Sequence, residues 1–339
     1  MRKFSKMTAL MLAAVLLFTA AASLSAGGSQ EKGQAAAYPK GNLDFVAPAG
    51  AGGGWDLTIR TVGKVLKDTG LVKVPMPVRN NPGAGGAVHL SSLQELKGKD
   101  NTITVYSPPL ILINLNGTTE FGYKNVTPLA RLIADYAAYV VAAKSPYKTM
   151  TDVMDALKKD IKSVKIGGIS SAGSMDHIQF LIMAKAAGIK NLKDIDYISF
   201  DDSAVAQVLG GHIDLFSTGL SEVQGLISSG DLRALAQSSD HRIGEGLIKE
   251  IPTCKEQGIN ATFVNWRGLF GTPDMPDYAV QYWRETLGKM VKTPEWTAAK
   301  KTNGWDDAYL DAPDFAKFLT QVNEDYKGIL SDIGMLKAK

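Results

Sequence analysis

Short β-prone runs alternate with amphipathic stretches along most of this chain. Leu43–Ala47, Ile103–Tyr106, Tyr139–Ala142, Val164–Ile166, Tyr197–Phe200, Ile213–Phe216 and Leu232–Ala236 are brief runs rich in apolar and β-branched residues, and they predict strands. Between them, Leu57–Lys67, Ala87–Leu96, Thr151–Lys159, Ile178–Ala187 and Ala204–Leu209 carry apolar residues at helical spacing. This alternation predicts an α/β fold. Near the end, Phe315, Phe318, Leu319, Val322, Tyr326 and Leu330 repeat at helical spacing after Asp311 and Pro313, which predicts a capped amphipathic helix docked on a core. No repeat of 20 to 50 residues and no long Pro/Ser linker interrupts the pattern, so two domains would be joined by more than one crossing of the chain.

The N-terminus follows a different pattern. Basic Arg2, Lys3 and Lys6 precede an apolar run from Ala9 to Phe18 and small residues through Ala26, which is the arrangement of an export signal cleaved near residues 22–26. The run is shorter than the roughly 20 residues a membrane-spanning helix needs, and nothing later approaches that length. Residues 27–37 read as a polar linker, and no cysteine follows the apolar run to carry a lipid. Export also changes the charge picture. The chain has 37 Lys+Arg against 34 Asp+Glu, and residues 1–26 hold three of the bases and none of the acids, so the remainder is formally neutral. The general basic field that would favour nucleic acid is therefore missing. At 339 residues the length predicts about two domains at roughly 150 residues each. The lone Cys254 rules out an internal disulfide, so packing alone must hold an exported fold together. A diffusing, monomeric periplasmic protein is expected.

Two segments carry candidate chemistry. Phe45–Leu66 reads as a strand, a turn with Gly50, Gly52, Gly53 and Gly54, and a helix with Trp55, Ile59, Val62 and Leu66 on one face. At such a helix mouth the first amides lack intrahelical acceptors, the dipole's positive end points outward, and missing Cβ atoms let an anion approach. Val164–Gly188 repeats the order of strand, small-residue turn and helix; aligning Asp56 with Asp176 pairs Gly53 with Gly173 and Gly54 with Ser174. Either segment alone reads as an ordinary βα connection, with glycine for the turn and an acid in the first helical turn. Together they suit a carboxylate or phosphate held between two facing mouths.

Seven segments in order resemble the periplasmic solute receptors of tripartite tricarboxylate transporters, the Bug receptors. They are APAGAGGGWDLTIR (Ala47–Arg60), NNPGAGGAVHL (Asn80–Leu90), the Ser107-Pro108 turn, GISSAGSMDHIQF (Gly168–Phe180), LGGHIDLFSTGLSEV (Leu209–Val223), GDLRALAQSSDHR (Gly230–Arg242) and IPTCKEQGINATFVNWRGLFGTP (Ile251–Pro273). The resemblance implies a two-lobed periplasmic binding protein fold of type II-like character, with α/β domain 1 over 38–141 plus 266–339 and α/β domain 2 over 142–265. It further implies a small organic carboxylate pinched between the lobes through backbone amides, small hydroxyls and bridging waters, then delivered to the inner-membrane subunits of the transporter. The matching positions are Gly50, Gly52, Gly53, Gly54, Trp55 and Asp56 in one mouth, Ser170, Ser171, Gly173, Ser174 and His177 in the other, with Ser107, Asp202, Thr218 and Arg267 nearby. One departure stands out. Where the family often has a Lys-Gly-Ser type turn after the strand at Tyr197–Phe200, this chain has Asp201, Asp202 and Ser203, which disfavours a highly charged polyanion unless the acids face solvent or meet a cationic group on the ligand.

Other roles fit less well. Trp55 suits a cleft wall or the core equally, and Arg267 suits a bidentate carboxylate clamp or a hinge brace. His89, His212 and His241 read as structural or exposed. No metal site is expected, because no H-E-x-x-H or acid/His cluster is present, and no cofactor is expected either. The glycine pairs at 50/52 and 83/85 begin a dinucleotide fingerprint, but Trp55 and Val88 stand where its third glycine belongs. Gly168–Ala172 approaches a hydrolase elbow yet ends in Ala. The sequence thus predicts a binding protein rather than an enzyme, with a sensory receptor for a membrane kinase or a small-molecule serine hydrolase as rivals.

Overall fold

A computed structural model describes residues 38–200 and 204–337. The proposed export signal and linker, and Asp202, lie outside the described residues. In chain order the elements are β1 (Asp44–Ala47), α1 (Gly54–Asp68), β2 (Val78–Asn80), α2 (Ala87–Gln94), β3 (Thr102–Tyr106), α3 (Pro109–Leu115) and β4 (Thr127–Ala142). They continue with α4 (Met150–Lys159), β5 (Ile166–Gly168), α5 (Met175–Ala186), β6 (Tyr197–Ser199), α6 (Ala204–Gly210), β7 (Leu215–Gly219), α7 (Leu220–Ser228) and β8 (Leu232–Gln237). The chain closes with β9 (Val264–Gly271), α8 (Asp277–Met290), α9 (Pro294–Asn303), β10 (Asp306–Asp311) and α10 (Ala312–Asp332).

The sheet divides along one long strand. Residues Thr127–Tyr136 of β4 pair antiparallel with β9, and Ala130–Ala134 also pair with β10 on the other side. From Ala137 onward the same strand pairs with β7 and β8 instead. One half of the sheet is thus β2-β1-β3-β9-β4 with β10, and the other is β4-β7-β5-β6 with β8. Within each half the βα units are parallel: β1 lies between β2 and β3, and β5 lies between β6 and β7. Only the last four residues of β4 are legible as a strand by periodicity, because Pro128, Arg131 and Asp135 interrupt its apolar pattern.

Cores form on both halves. Phe45, Ile59, Val62 and Leu66 pack with Trp283 and Leu287 of α8 and Trp296 of α9 beside the first half. Ala138 and Val140 pack with Phe216, Leu220 and Val223 beside the second. The largest cluster spans the two halves: Leu110 and Ile113 from α3, Met154 and Leu157 from α4, Ile178 and Phe180 from α5, and the apolar face of α10 all belong to it. That helix begins as its sequence predicts, with Asp311 accepting the Asp314 amide (3.3 Å) and Pro313 in the first turn. Its Phe315 ring lies on β9 because position 268 is glycine; a Cβ there would stand 2.4 Å from Phe315 Cζ. Trp266 and Phe270 flank the ring with centroids 5.6 and 5.2 Å away.

Phe315 is fully buried, so Phe315→Ala should leave a cavity and cost about 3–5 kcal/mol, read as a lowered midpoint in urea denaturation with an unchanged slope. A loss below about 1 kcal/mol would mean that α10 is not a structural part of the core.

Candidate functional site

The carboxyl ends of the parallel strands on the two halves frame one cleft, the location that open α/β sheets favour for ligands. A cavity of about 550 Å³ occupies it. From the first half come Pro48–Gly50 and Gly53–Trp55 after β1, Pro82–Gly86 after β2, and Ser107 and Pro109 after β3. Ile169, Ser170 and Ser174–Asp176, after β5, line it from the second half. Glu222, Asn265 and Arg267 form a floor near the point where β4 exchanges partners.

Each helix mouth is shaped by a carboxylate in the first turn of its own helix. In the first, Asp56 Oδ2 accepts the Gly52 amide (2.9 Å), while Oδ1 accepts from Arg60 Nε (2.8 Å) and Asn80 Nδ2 (2.8 Å). Gly52 sits at φ +84°, a left-handed conformation that favours glycine. In the second mouth, Asp176 Oδ2 accepts the amides of Ile169 (2.8 Å) and Ser170 (2.9 Å), and the Asp176 amide donates back to Ser170 Oγ (2.7 Å). The first residues of α1 (Gly54, Trp55) and of α5 (Met175, Asp176) line the cavity, and the first amides of a helix lack acceptors within it; of these the Asp176 amide is taken by Ser170. Trp55 is both wall and brace: its indole N–H donates to Ser107 Oγ (2.9 Å), and its ring meets Tyr106 edge-on at 5.5 Å.

The sequence profile described as "TctC: Tripartite tricarboxylate transporter family receptor" matches residues 66–335. The chain belongs to that family. Members are binding proteins, so this receptor holds a ligand and does not turn one over. Among solved structures it is similar to a TctC solute binding protein from Polaromonas without ligand, at 26% identity and TM-score 0.64, covering 87% of this chain and 99% of that one. MatC from Rhodopseudomonas palustris with bound malate shares 16% identity and a TM-score of 0.73, over 86% of this chain and 100% of that one. Rpa4515 of the same organism with adipate shares 17% and 0.77, over 88% and 98%. These likenesses show a two-domain periplasmic binding protein fold. Among curated proteins no relative matches.

The receptor's cavity draws on Gly50, Gly53, Gly54, Trp55, Ser107, Ser170, Ser174 and Arg267 from the positions that the sequence nominates. The other described positions are not part of this lining. Gly52 and Asp56 form the loop staple just described, and Ser171 is exposed while its carbonyl accepts the Ser174 amide (2.9 Å). The Gly173 amide donates to His177 Nδ1 (3.0 Å). That imidazole is buried and stacked on Tyr197 with centroids 4.4 Å apart, and burial pushes its pKa down to about 4, so it is a neutral brace. The Thr218 hydroxyl donates to Glu222 Oε2 (2.7 Å), so Thr218 acts on the floor through Glu222. No hydrolase elbow is assembled from Ser170 and His177, because the Ser170 hydroxyl takes the Asp176 amide and His177 Nδ1 takes Gly173. Among the described residues there is no cluster able to hold a metal ion and no helix long and apolar enough to cross a membrane.

Arg267 is buried, with 2% exposure, rather than solvated. Its guanidinium donates to Asp135 Oδ2 (2.9 Å), the Gly54 carbonyl (3.1 Å) and Thr58 Oγ1 (3.1 Å), and lies 3.6 Å from Glu222 Oε1. Glycine at 54 serves this arrangement: a Cβ would fall 2.3 Å from Arg267 Nη2. A side chain at 54 would therefore strike the guanidinium, not open ligand space. Sequence reasoning missed Glu222, Asn265, Ile169, Met175 and the Pro82–Gly86 loop. The loop had a signal, since NNPGAGG repeats the glycine pattern of the first mouth; Glu222 had none, because only the fold brings α7 to the cleft.

The two stapling acids differ electrostatically. Burial raises the Asp56 pKa, but the bonds from Arg60, Gly52 and Asn80 outweigh it and hold the group below the usual carboxylate range. Asp176 is pushed up to about 7, first by burial and then by the Glu222 charge, with its backbone hydrogen bonds opposing. A raised pKa in the folded state means that Asp176 contributes stability when protonated, and that this contribution fades as pH climbs from about 4 through about 7. Both amides bind Oδ2 alone, so a carboxamide side chain at this position would keep them. Asp176→Asn should therefore match the parent near pH 4 and exceed it by on the order of 2–4 kcal/mol at pH 8 in urea denaturation without ligand. A stability gap that stays constant with pH would refute the raised pKa.

Proposed function

We propose that this receptor captures a small organic carboxylate in the periplasm, between two lobes, and presents it to the membrane subunits of a tripartite tricarboxylate-type transporter. The observation that carries this reading is the pair of opposed helix mouths, after β1 and after β5, on one cavity. Ser174 adds to it: its hydroxyl is buried on the cavity wall without a protein partner, a group suited to a ligand oxygen. The malate and adipate held by MatC and Rpa4515 accord with it. The lobes are taken as the two halves of the sheet, dividing at the partner switch around Tyr136 and Ala137, a few residues before the 141/142 boundary expected from the sequence, with the hinge at that switch. A ligand touching both mouths favours the closed arrangement to the extent that it binds that arrangement more tightly. The N-terminal basic and apolar pattern supports export.

Gly50 offers a test because it lines the cavity while a Cβ on it would meet nothing within 4 Å. A panel of mono-, di- and tricarboxylates, aromatic acids and amino acids should contain a compound that raises the thermal midpoint, by about 2.7 kcal/mol of stabilisation at 100 times its Kd. Gly50→Glu should leave the unliganded midpoint in place and weaken that compound at least tenfold in calorimetry, since a tethered carboxylate then competes for the first mouth. Unaltered affinity would remove that mouth from the site. In cells, deletion should abolish uptake; intact uptake with lost gene induction would instead mark a sensor.

A further inference from the structure

The floor of the cavity has acceptors without donors. Arg267 is the cation there, and Asp135 already matches its charge at 2.9 Å. Glu222 and Asp176 remain in excess. Glu222 Oε2 takes the Thr218 hydroxyl, Oε1 is ion-paired to Arg267 at 3.6 Å, and the Gly219 amide also favours its charge, while 22% of the side chain is still open. Asp176 Oδ2 is filled by two amides, but Oδ1 is buried with no partner, in a residue 2% exposed. Asn265, 1% exposed, likewise presents a buried Oδ1 with no partner. All three residues line the cavity. Unmet buried acceptors are costly, and Asp176 Oδ1 and Asn265 Oδ1 are two of them; with Asp135, Asp176 and Glu222 around one guanidinium, a purely anionic ligand would add charge to a site already short of cations.

Resting on the carboxylate reading above, we propose that the far end of the ligand is a protonated amine: the receptor takes an ammonium-bearing carboxylate, an amino-acid-like zwitterion. Its carboxylate lies at the mouths of α1 and α5 with Ser174. Its ammonium faces the open Asp176 Oδ1 and Asn265 Oδ1, with the Glu222 charge beside them, and an ammonium carries donors enough for both acceptors. Burial raises the pKa of both Asp176 and Glu222, with Arg267 opposing it at Glu222, so a cation beside them would be favoured. Plain dicarboxylates satisfy none of these acceptors, and a hydroxy acid offers a single donor.

Calorimetry at pH 7 with matched pairs tests the proposal: L-glutamate with glutarate, L-aspartate with succinate, 4-aminobutyrate with butyrate, and L-leucine with 4-methylpentanoate. In the tightest pair the aminated member should bind at least tenfold more strongly. Glu222→Gln and, separately, Asp176→Asn should each cut that preference severalfold while leaving the deaminated partner unweakened, with circular dichroism confirming that both variants fold. Equal or tighter binding of the deaminated member in every pair would overturn the ammonium and leave the carboxylate site standing. Silence of both members in every pair would overturn the ammonium, and the carboxylate site falls with it only if the wider panel above is silent too. A preference that survives both substitutions would also overturn the assignment.

Discussion

A guanidinium stripped of water needs a counter-charge and acceptors for its N–H groups, and the structure of this receptor is arranged to supply them to Arg267. Asp135 provides the charge from β4, at the register step where that strand stops pairing with β9 and starts pairing with β7. The same carboxylate oxygen accepts from Ser221 Oγ (2.6 Å), which draws α7 to the junction, while the guanidinium reaches Gly54 and Thr58 at the start of α1. Removing one partner from such a buried pair costs about 3–5 kcal/mol because the other is left uncompensated. Two strands and the first turns of two helices are thereby held in one mutual arrangement, and the cavity floor is what that arrangement leaves exposed.

Around this junction the two halves use one device with different electrical outcomes. In each, an acid in the first turn of a helix folds the preceding loop back by accepting its amides. Asp56 has Arg60 and Asn80 beside it and is secure as an anion. Asp176 has the Ile169 and Ser170 amides, Tyr197 and Glu222 for neighbours and, among the described residues, no cation hydrogen-bonded to it, so burial and the Glu222 charge leave it the more easily protonated of the two. The cavity is consequently polar in a directional sense, with amides and a free hydroxyl at the mouths and unpaired oxygens below.

Periodicity and glycine placement made the architecture legible: α1, α2, α4, α5 and α10 and most of the short strands follow from apolar spacing and caps. Both mouths were legible too, as was the equivalence of Asp56 and Asp176. Much of the rest was not, for specific reasons. β4 is buried along both halves and carries Arg131 and Asp135 for partners that only the fold supplies, so alternation cannot reveal its sixteen residues. Strands β2 and β9 and helices α3, α7, α8 and α9 are set by tertiary packing more than by local pattern. His177 on α5 and Thr218 on β7 lie within the right segments but outside the cavity lining, because their polar atoms are taken up by the Gly173 amide and by Glu222, partners that spacing does not reveal. Glu222 and Asn265 reach the cleft from segments far apart in sequence.

The first mouth is composed of glycines, proline and alanine, with little side-chain chemistry of its own apart from Trp55. A grip made from peptide groups is encoded in conformation, so its affinity for an oxyanion persists through drift at most flanking positions provided the turns survive. In the proposed reading, discrimination among guests falls to the few side chains underneath, at 176, 222 and 265. Change at those three sites would re-specify the cargo without redesigning the clasp, which gives a lineage of such proteins an inexpensive route to new nutrients.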